Sequence, residues 1–344
     1  MLPELCIGLA ILGITAYAVL GSADFGAGFW DLTAGGAERG GPVRGMVQHS
    51  MSPVWEANHV WLIFVLVILW TCFPVAFASV FSTLSIPLFL AALGIIFRGA
   101  AFVMRGQAAT MKEARGLGAL FALASVLIPF CLGAAIGGVA SGRVPVGNAA
   151  GNMWSSWTGP TSVLIGVIGV LTGAHLAAVF LAGDSVRAEQ PALVRAFRAR
   201  ALGSGVVTGL VALGGLFVLR SDARSLYDGL TSGGGLAMVL ISGAGGVATL
   251  ALVWLERYGA ARVTAAVAVA AIVVGWALAQ NPYLLPDQLT LEKGAADDAV
   301  LGAVLISMAV GALILGPSLW WLYRLTLSGR LDQSYEPLDQ RFRP

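Results

Sequence analysis

Nine apolar runs follow one another from one end of this chain to the other. Crossing the roughly 30 Å hydrocarbon core of a bilayer takes about 20 apolar residues in a helix, and runs of this length meet that requirement. They fall at about 5–32, 55–80, 82–104, 117–140, 160–183, 201–220, 234–255, 262–280 and 299–323. The chain is therefore expected to be an all-α polytopic membrane protein. Composition agrees: 58% of residues are hydrophobic and 11% charged, where soluble domains carry about 25% charge. The second and third runs are separated by almost nothing, so Ser79 to Pro87 must make a tight turn at the membrane surface.

The start, Met1 to Cys6, has no basic region and no small-residue cleavage site after its apolar stretch. It reads as a retained first helix, not a removed signal peptide. The 45 glycines in 344 residues are about twice the usual ~7%. In lipid, small residues let helix backbones approach closely, so tight helix packing is expected. Cys6, Cys72 and Cys131 lie in apolar runs with no metal-type pairing and read as small packing residues. A net charge of +2 implies no nucleic-acid partner.

Orientation follows from the basic residues in the connections. With the N-terminus outside, the inner segments hold 15 Lys and Arg, and the outer ones hold 4: Arg143, Arg220, Arg224 and Lys293. The expected topology is N-out, C-in. Trp30, Trp55, Trp61, Trp254, Trp320 and Trp321 then lie toward the inner interface, as an aromatic belt does. The tail 324–344 is polar and is expected at the cytoplasmic surface.

Ionisable groups inside the membrane mark the places where chemistry can occur. A carboxylate there costs about 2.5–3.5 kcal/mol on insertion scales, so it faces a partner or a water-filled path. Asp24 lies in the first run, six residues before Trp30, or about 9 Å from the inner interface. The stretch Val54-Trp55-Glu56-Ala57-Asn58-His59-Val60-Trp61-Leu62 opens the second run with an acid, an amide and an imidazole. His59 shares the Glu56 face at i+3. Arg98 falls in the inner half of the third run, above Arg105. Glu56 at the rim and Asp24 deeper form a candidate proton route from the cytoplasm, with Asn58 and His59 beside it. Arg98, Arg105, Trp55 and Trp61 are candidates for a polar bundle network. The competing reading is structural: Arg98 neutralises an acid and the group locks the helices.

His175, in the fifth run, could ligate haem iron or hydrogen-bond across helices; no second ligand is placed by sequence, and the cross-helix bond is favoured. Three scattered histidines without HExxH or a Cys pair give no metal site. The Gly-rich segment near residue 26 precedes no strand and reads as helix packing. Asp184 and Arg187 read as a surface salt bridge. Gln280-Asn281-Pro282-Tyr283 reads as an interfacial helix stop.

Taken together, these residues resemble subunit II of the cytochrome bd-type quinol oxidases. The family's first-helix motif appears as Asp24-Phe25-Gly26-Ala27-Gly28, and its Trp-acid-x-Asn-x-Val-Trp-Leu motif as Trp55 to Leu62. Phe97-Arg98, Phe102 and Arg105 match the third helix; Gly275-Trp276, Gln280 and Pro282-Tyr283-Leu284 match a late motif. Gly21 stands where many relatives carry a further acid, Glu56 replaces an Asp, and His59 replaces a Gln or Glu.

The resemblance implies a single integral membrane domain over 1–344. Residues 1–140 and 160–280 would form two four-helix bundles, and 299–323 a peripheral ninth helix. It implies a heterodimer with a homologous haem-bearing large subunit in the bacterial cytoplasmic membrane. That subunit would carry haem b and haem d and take electrons from quinol, with protons for water drawn from the cytoplasm. This chain would ligate no haem itself. Membrane lipid and small single-span accessory subunits are further partners the resemblance allows. Two other readings stand beside it: a secondary transporter with an intramembrane Asp24/Arg98 site, and a purely structural assembly partner.

Overall fold

The computed structural model of the chain describes residues 1–51 and 55–328, for 37–39, 55, 323, 326 and 327 the main chain only. Its helices are α1 (Leu2–Leu32), α2 (Ala37–Met51), α3 (Trp55–Cys72), α4 (Pro74–Thr83), α5 (Ser85–Arg105), α6 (Met111–Ala140) and α7 (Pro160–Arg187). There follow α8 (Pro191–Asp222), α9 (Arg224–Leu230), α10 (Gly233–Trp254), α11 (Tyr258–Gln280), α12 (Leu291–Gly294) and α13 (Asp298–Leu327). Between α11 and α12 lies a small antiparallel pair, β1 (Tyr283–Leu285) and β2 (Leu289–Thr290), in register Tyr283 to Thr290 and Leu285 to Leu289. This five-residue pair is the strand structure among the described residues of an otherwise helical chain.

Eight of the described helices are long and apolar enough to cross a membrane. A ninth is reached only by counting Gly40–Met51 with Glu56–Cys72, whose axes differ by 58°, as one broken span. The expected second span, 55–80, is divided instead. Pro74 takes the first position of α4 and lacks the N–H that would continue α3. The 18 residues of α3 rise about 27 Å. The tight turn survives as the single break at Leu84, between α4 and α5. Helix α8 begins ten residues before the expected 201. Its Leu193, Phe197 and Ala201 recur every four residues and are buried, so its arginine-rich start continues the helix.

Helix α1 packs against α3, α6 and α7, and α13 lies against α1 and α3. Helix α7 also packs on α6, α8 and α11, and α10 pairs with α11 and α8. Glycines set the closest approaches. A Cβ at Gly26 would fall on the main chain of Gly173 in α7, and one at Gly28 would fall on the Ser125 side chain in α6. The Asp24-Phe25-Gly26-Ala27-Gly28 motif is thus where α1 is wedged between two neighbours. All three cysteines are free and buried.

At the end opposite Arg105, polar contacts tie the connections together. Arg143 donates to both carboxylate oxygens of Asp222, at 2.9 and 2.5 Å. Asp222 also accepts from the Thr161 amide at 2.9 Å and the Thr161 hydroxyl at 2.6 Å, so it caps α7. The Asp222 hydrogen bond raises the Arg143 guanidinium above its ordinary value, and the pair stays ionised. At the same end, Gly147 N donates to Ser79 Oγ at 3.0 Å and Ala149 N to Ser82 Oγ at 2.7 Å.

Candidate functional site

Two acids seven residues apart on α1, Asp24 and Asp31, face two arginines seven residues apart on α5, Arg98 and Arg105. Seven residues are close to two helical turns, so each pair of like charges occupies one face. The result is two tiers of buried polarity with different wiring.

In the deeper tier, Asp24 is 7% exposed and Asn58 2%. Asn58 Nδ2 donates to Asp24 Oδ2 at 2.5 Å. Arg98, 1% exposed, donates through Nη2 to the main-chain carbonyl of Asp24 at 2.9 Å and through Nε to Ser125 Oγ at 3.0 Å. The Ser125 hydroxyl in turn donates to the Phe121 carbonyl at 2.7 Å. The guanidinium lies 5.1 Å from the ring centres of Phe25 and of Phe121, in cation–π range. No ion pair joins Arg98 to the Asp24 carboxylate among the described residues.

In the outer tier, both carboxylate oxygens of Asp31 are taken by guanidinium groups. Arg105 Nη1 donates to Oδ2, and Arg44 Nε from α2 donates to Oδ1 at 3.0 Å. Arg44 also donates to the carbonyls of Gly35 at 2.7 Å and Gly36 at 3.3 Å. Asp31 is 3% exposed and Arg105 7%.

The remaining α3 residues separate. Glu56, in the first turn, is exposed, and its side chain makes no hydrogen bond or ion pair among the described residues. His59 turns toward α1: its Nδ1 is 3.3 Å from the Tyr17 hydroxyl, and its ring is 6.0 Å from that of Phe25. Trp61 is half-buried in an apolar cluster with Tyr17, Phe25 and Ile128, and meets Phe64 edge-on at 6.1 Å. Trp55 opens α3, and its side chain lies outside the described residues.

Further along, His175 Nδ1 is 3.0 Å from the Ala201 carbonyl, a bond from α7 to α8. Among the described residues no group of three or more His, Cys, Asp or Glu could hold a metal ion. Asp184 pairs with Arg187 at 2.6 Å and also with Arg262 of α11, so it joins two helices beyond the expected local bridge. Gln280 accepts from Trp276 Nε1 at 2.9 Å and donates to the Leu284 carbonyl at 2.9 Å, which closes the end of α11.

Sequence reasoning missed Asp31, Arg44, Ser125 and Tyr17. For Asp31 a signal existed: it stands seven residues after Asp24, as Arg105 stands after Arg98. Ser125 and Tyr17 carried none, because a hydroxyl on an apolar helix reads the same whether it faces lipid or a buried arginine.

The chain as a whole has close likenesses. A family model described as cytochrome bd terminal oxidase subunit II matches residues 2–326. A Bacillus subtilis (strain 168) protein, assigned as a cytochrome bd menaquinol oxidase subunit II, is 24% identical over 327 residues, covering 90% of this chain and 91% of the relative. Among solved structures, a chain of the bd oxidase from Geobacillus thermodenitrificans superposes with a TM-score of 0.75 at 26% identity, over 95% of this chain and 98% of that one. These likenesses lend nothing to the transporter alternative. The match runs from α1 into α13, through both tiers, and this chain belongs to the cytochrome bd terminal oxidase subunit II family.

Proposed function

We propose that this chain supports the haem-bearing large subunit of a quinol:oxygen oxidoreductase in the bacterial cytoplasmic membrane and carries protons toward its oxygen site. The orientation proposed is N-out, C-in, with α1, α3, α5 and α6 as one bundle, α7, α8, α10 and α11 as a second, and α13 peripheral. The 15-to-4 distribution of basic residues supports that orientation. The α1–α7 and α6–α7 contacts support a close joint between the bundles. Haem b and haem d are assigned to the large subunit. His175, the one candidate ligand here, is engaged across two helices.

The observation that carries the proton route is the wiring of Asp24. Its carboxyl group is buried against a neutral amide, Asn58, while Arg98 is spent on the main chain, Ser125 and two aromatic faces. Proton exchange at Asp24 therefore breaks no ion pair. Asp31 differs, since two guanidinium groups hold it. Glu56, exposed at the start of α3, collects protons at the rim. Asn58 and His59, on the same turn, hold the acceptor and line the way inward.

The test compares Glu56→Gln and Asp24→Asn in the assembled complex, measuring oxygen consumption against haem content. A positioned proton-transferring group contributes at least on the order of 100-fold. Asp24→Asn should approach that loss per haem, and Glu56→Gln should cost less because bulk water reaches its site. Glu56→Asp should retain most activity. Full turnover per haem in both neutral variants would overturn the route. Lost haem with unchanged turnover per haem would replace it with a structural role.

A further inference from the structure

Beside the outer tier lies a cavity of about 460 Å³ that the proton route does not use. Its size is that of a small-ligand site. The end of α1, the start of α2, the end of α5 and one face of α6 line it, and it is open on one side. On α6, Met111, Ala114, Arg115, Gly118, Ala119 and Ala122 recur at three- and four-residue spacing, so they share that face.

Three arginines and one acid line the cavity: Arg44, Arg105, Arg115 and Asp31. Both oxygens of Asp31 are taken, so its charge is already answered and two positive charges remain in excess. Arg105 is 93% buried, lies over Gly118, and its Nε has no partner among the described residues. A buried unpaired donor is costly and marks a place where a ligand or water completes the bonding. Arg115 is exposed and makes no ion pair among the described residues. The N-terminus of the 30-residue α6 opens on the same cavity at Met111, one residue past its Thr110 cap, whose Oγ1 takes the Glu113 amide. Glu113, the nearby acid, is occupied with the amides of Ala109 and Thr110. The rest of the wall, toward Ala119 and Ala122, is apolar.

We propose that this cavity binds a phosphate group, held by Arg105, Arg115 and the α6 N-terminus, with the apolar wall of α6 accepting the start of an acyl chain. The group can come from an anionic phospholipid or from free phosphate. Planar guanidinium donors match phosphate oxygens, and a cationic pocket between membrane helices suits a lipid headgroup.

The test is native mass spectrometry of the assembled complex in micelles containing phosphatidylglycerol or phosphatidylcholine. The wild-type complex should retain phosphatidylglycerol in preference to phosphatidylcholine. Arg115→Gln should reduce retention about fivefold, and Arg115→Glu more. Arg224→Gln, at the other end of the bundle, should change nothing. Arg115 is exposed, so its variants should assemble, and the haem spectrum checks that they do. Displacement by inorganic phosphate would support the site and show that the phosphate group suffices; resistance to it would support the lipid as the source. Equal retention of the two lipids, or unchanged phosphatidylglycerol in both Arg115 variants, would overturn the proposal.

Discussion

Arg98 donates to the main-chain carbonyl of Asp24 at 2.9 Å and leaves the carboxyl group of that residue to Asn58. Seven residues on, Arg105 does the opposite and pairs with the Asp31 carboxylate itself. Two tiers built on the same pairing of an α1 acid with an α5 arginine thus have different chemistry. One is a buried acid beside a neutral amide, and the other is a buried ion-pair network.

The difference predicts opposite behaviour on neutralisation. Asp31→Asn strips two guanidinium groups of their shared counter-charge, one of them 7% exposed. Breaking a buried pair by removing one partner costs about 3–5 kcal/mol. Asp31→Asn should therefore lower the yield of haem-loaded complex and its thermal midpoint, with turnover per remaining haem close to normal. Normal stability with lost turnover per haem would move Asp31 into the proton route.

The wedge of α1 predicts a sharp contrast among glycines. Gly26→Ala drives a methyl group into the Gly173 main chain, whereas Gly8→Ala meets nothing within 4 Å. Overpacking costs about 1–3 kcal/mol where neighbours can shift, and main chain shifts least. Gly26→Ala should lower the thermal midpoint of the complex while Gly8→Ala leaves it unchanged. Equal midpoints would remove the close α1–α7 contact.

Asp222→Ala should destabilise the far end of the bundle. It unpairs Arg143 and removes two hydrogen bonds from the start of α7. The expected cost is about 1–3 kcal/mol, read as faster proteolysis of the 141–159 connection. Unchanged proteolysis would show that the connection is held elsewhere.

His175→Ala in the assembled complex should leave the haem absorption spectrum intact, because the imidazole bonds the Ala201 carbonyl across helices. Loss of a haem band in that variant would make His175 an axial ligand.

Topology is checked by introduced cysteines. Sites at 106–110 and 188–190 should be labelled only after permeabilisation, and sites at 146–153 without it. The reverse pattern would place Glu56 on the outer face and end the case for cytoplasmic proton uptake.

The class of fold was legible in the apolar runs alone. Apolar runs of bilayer length have no stable alternative to helices, because the main chain must satisfy itself where water is absent. The sequence also placed Asp24, Asn58 and Arg98 in one region, since an ionisable group in hydrocarbon needs a partner and few were available. Which group bonds to which emerges only when the helices pack. Arg98 and Arg105 occupy equivalent positions on α5, yet one guanidinium is drawn to a carbonyl and two rings and the other to a carboxylate. A long side chain reaches several acceptors from one Cα, and the distance between helix axes selects among them. Here glycines set that distance: Gly26 and Gly28 bring α1 onto α7 and α6, and Gly118 makes room for Arg105. Asp31 escaped the sequence reading for the same reason. An acid at the end of an apolar run looks like a solvated cap until α2 folds back and lays Arg44 across it.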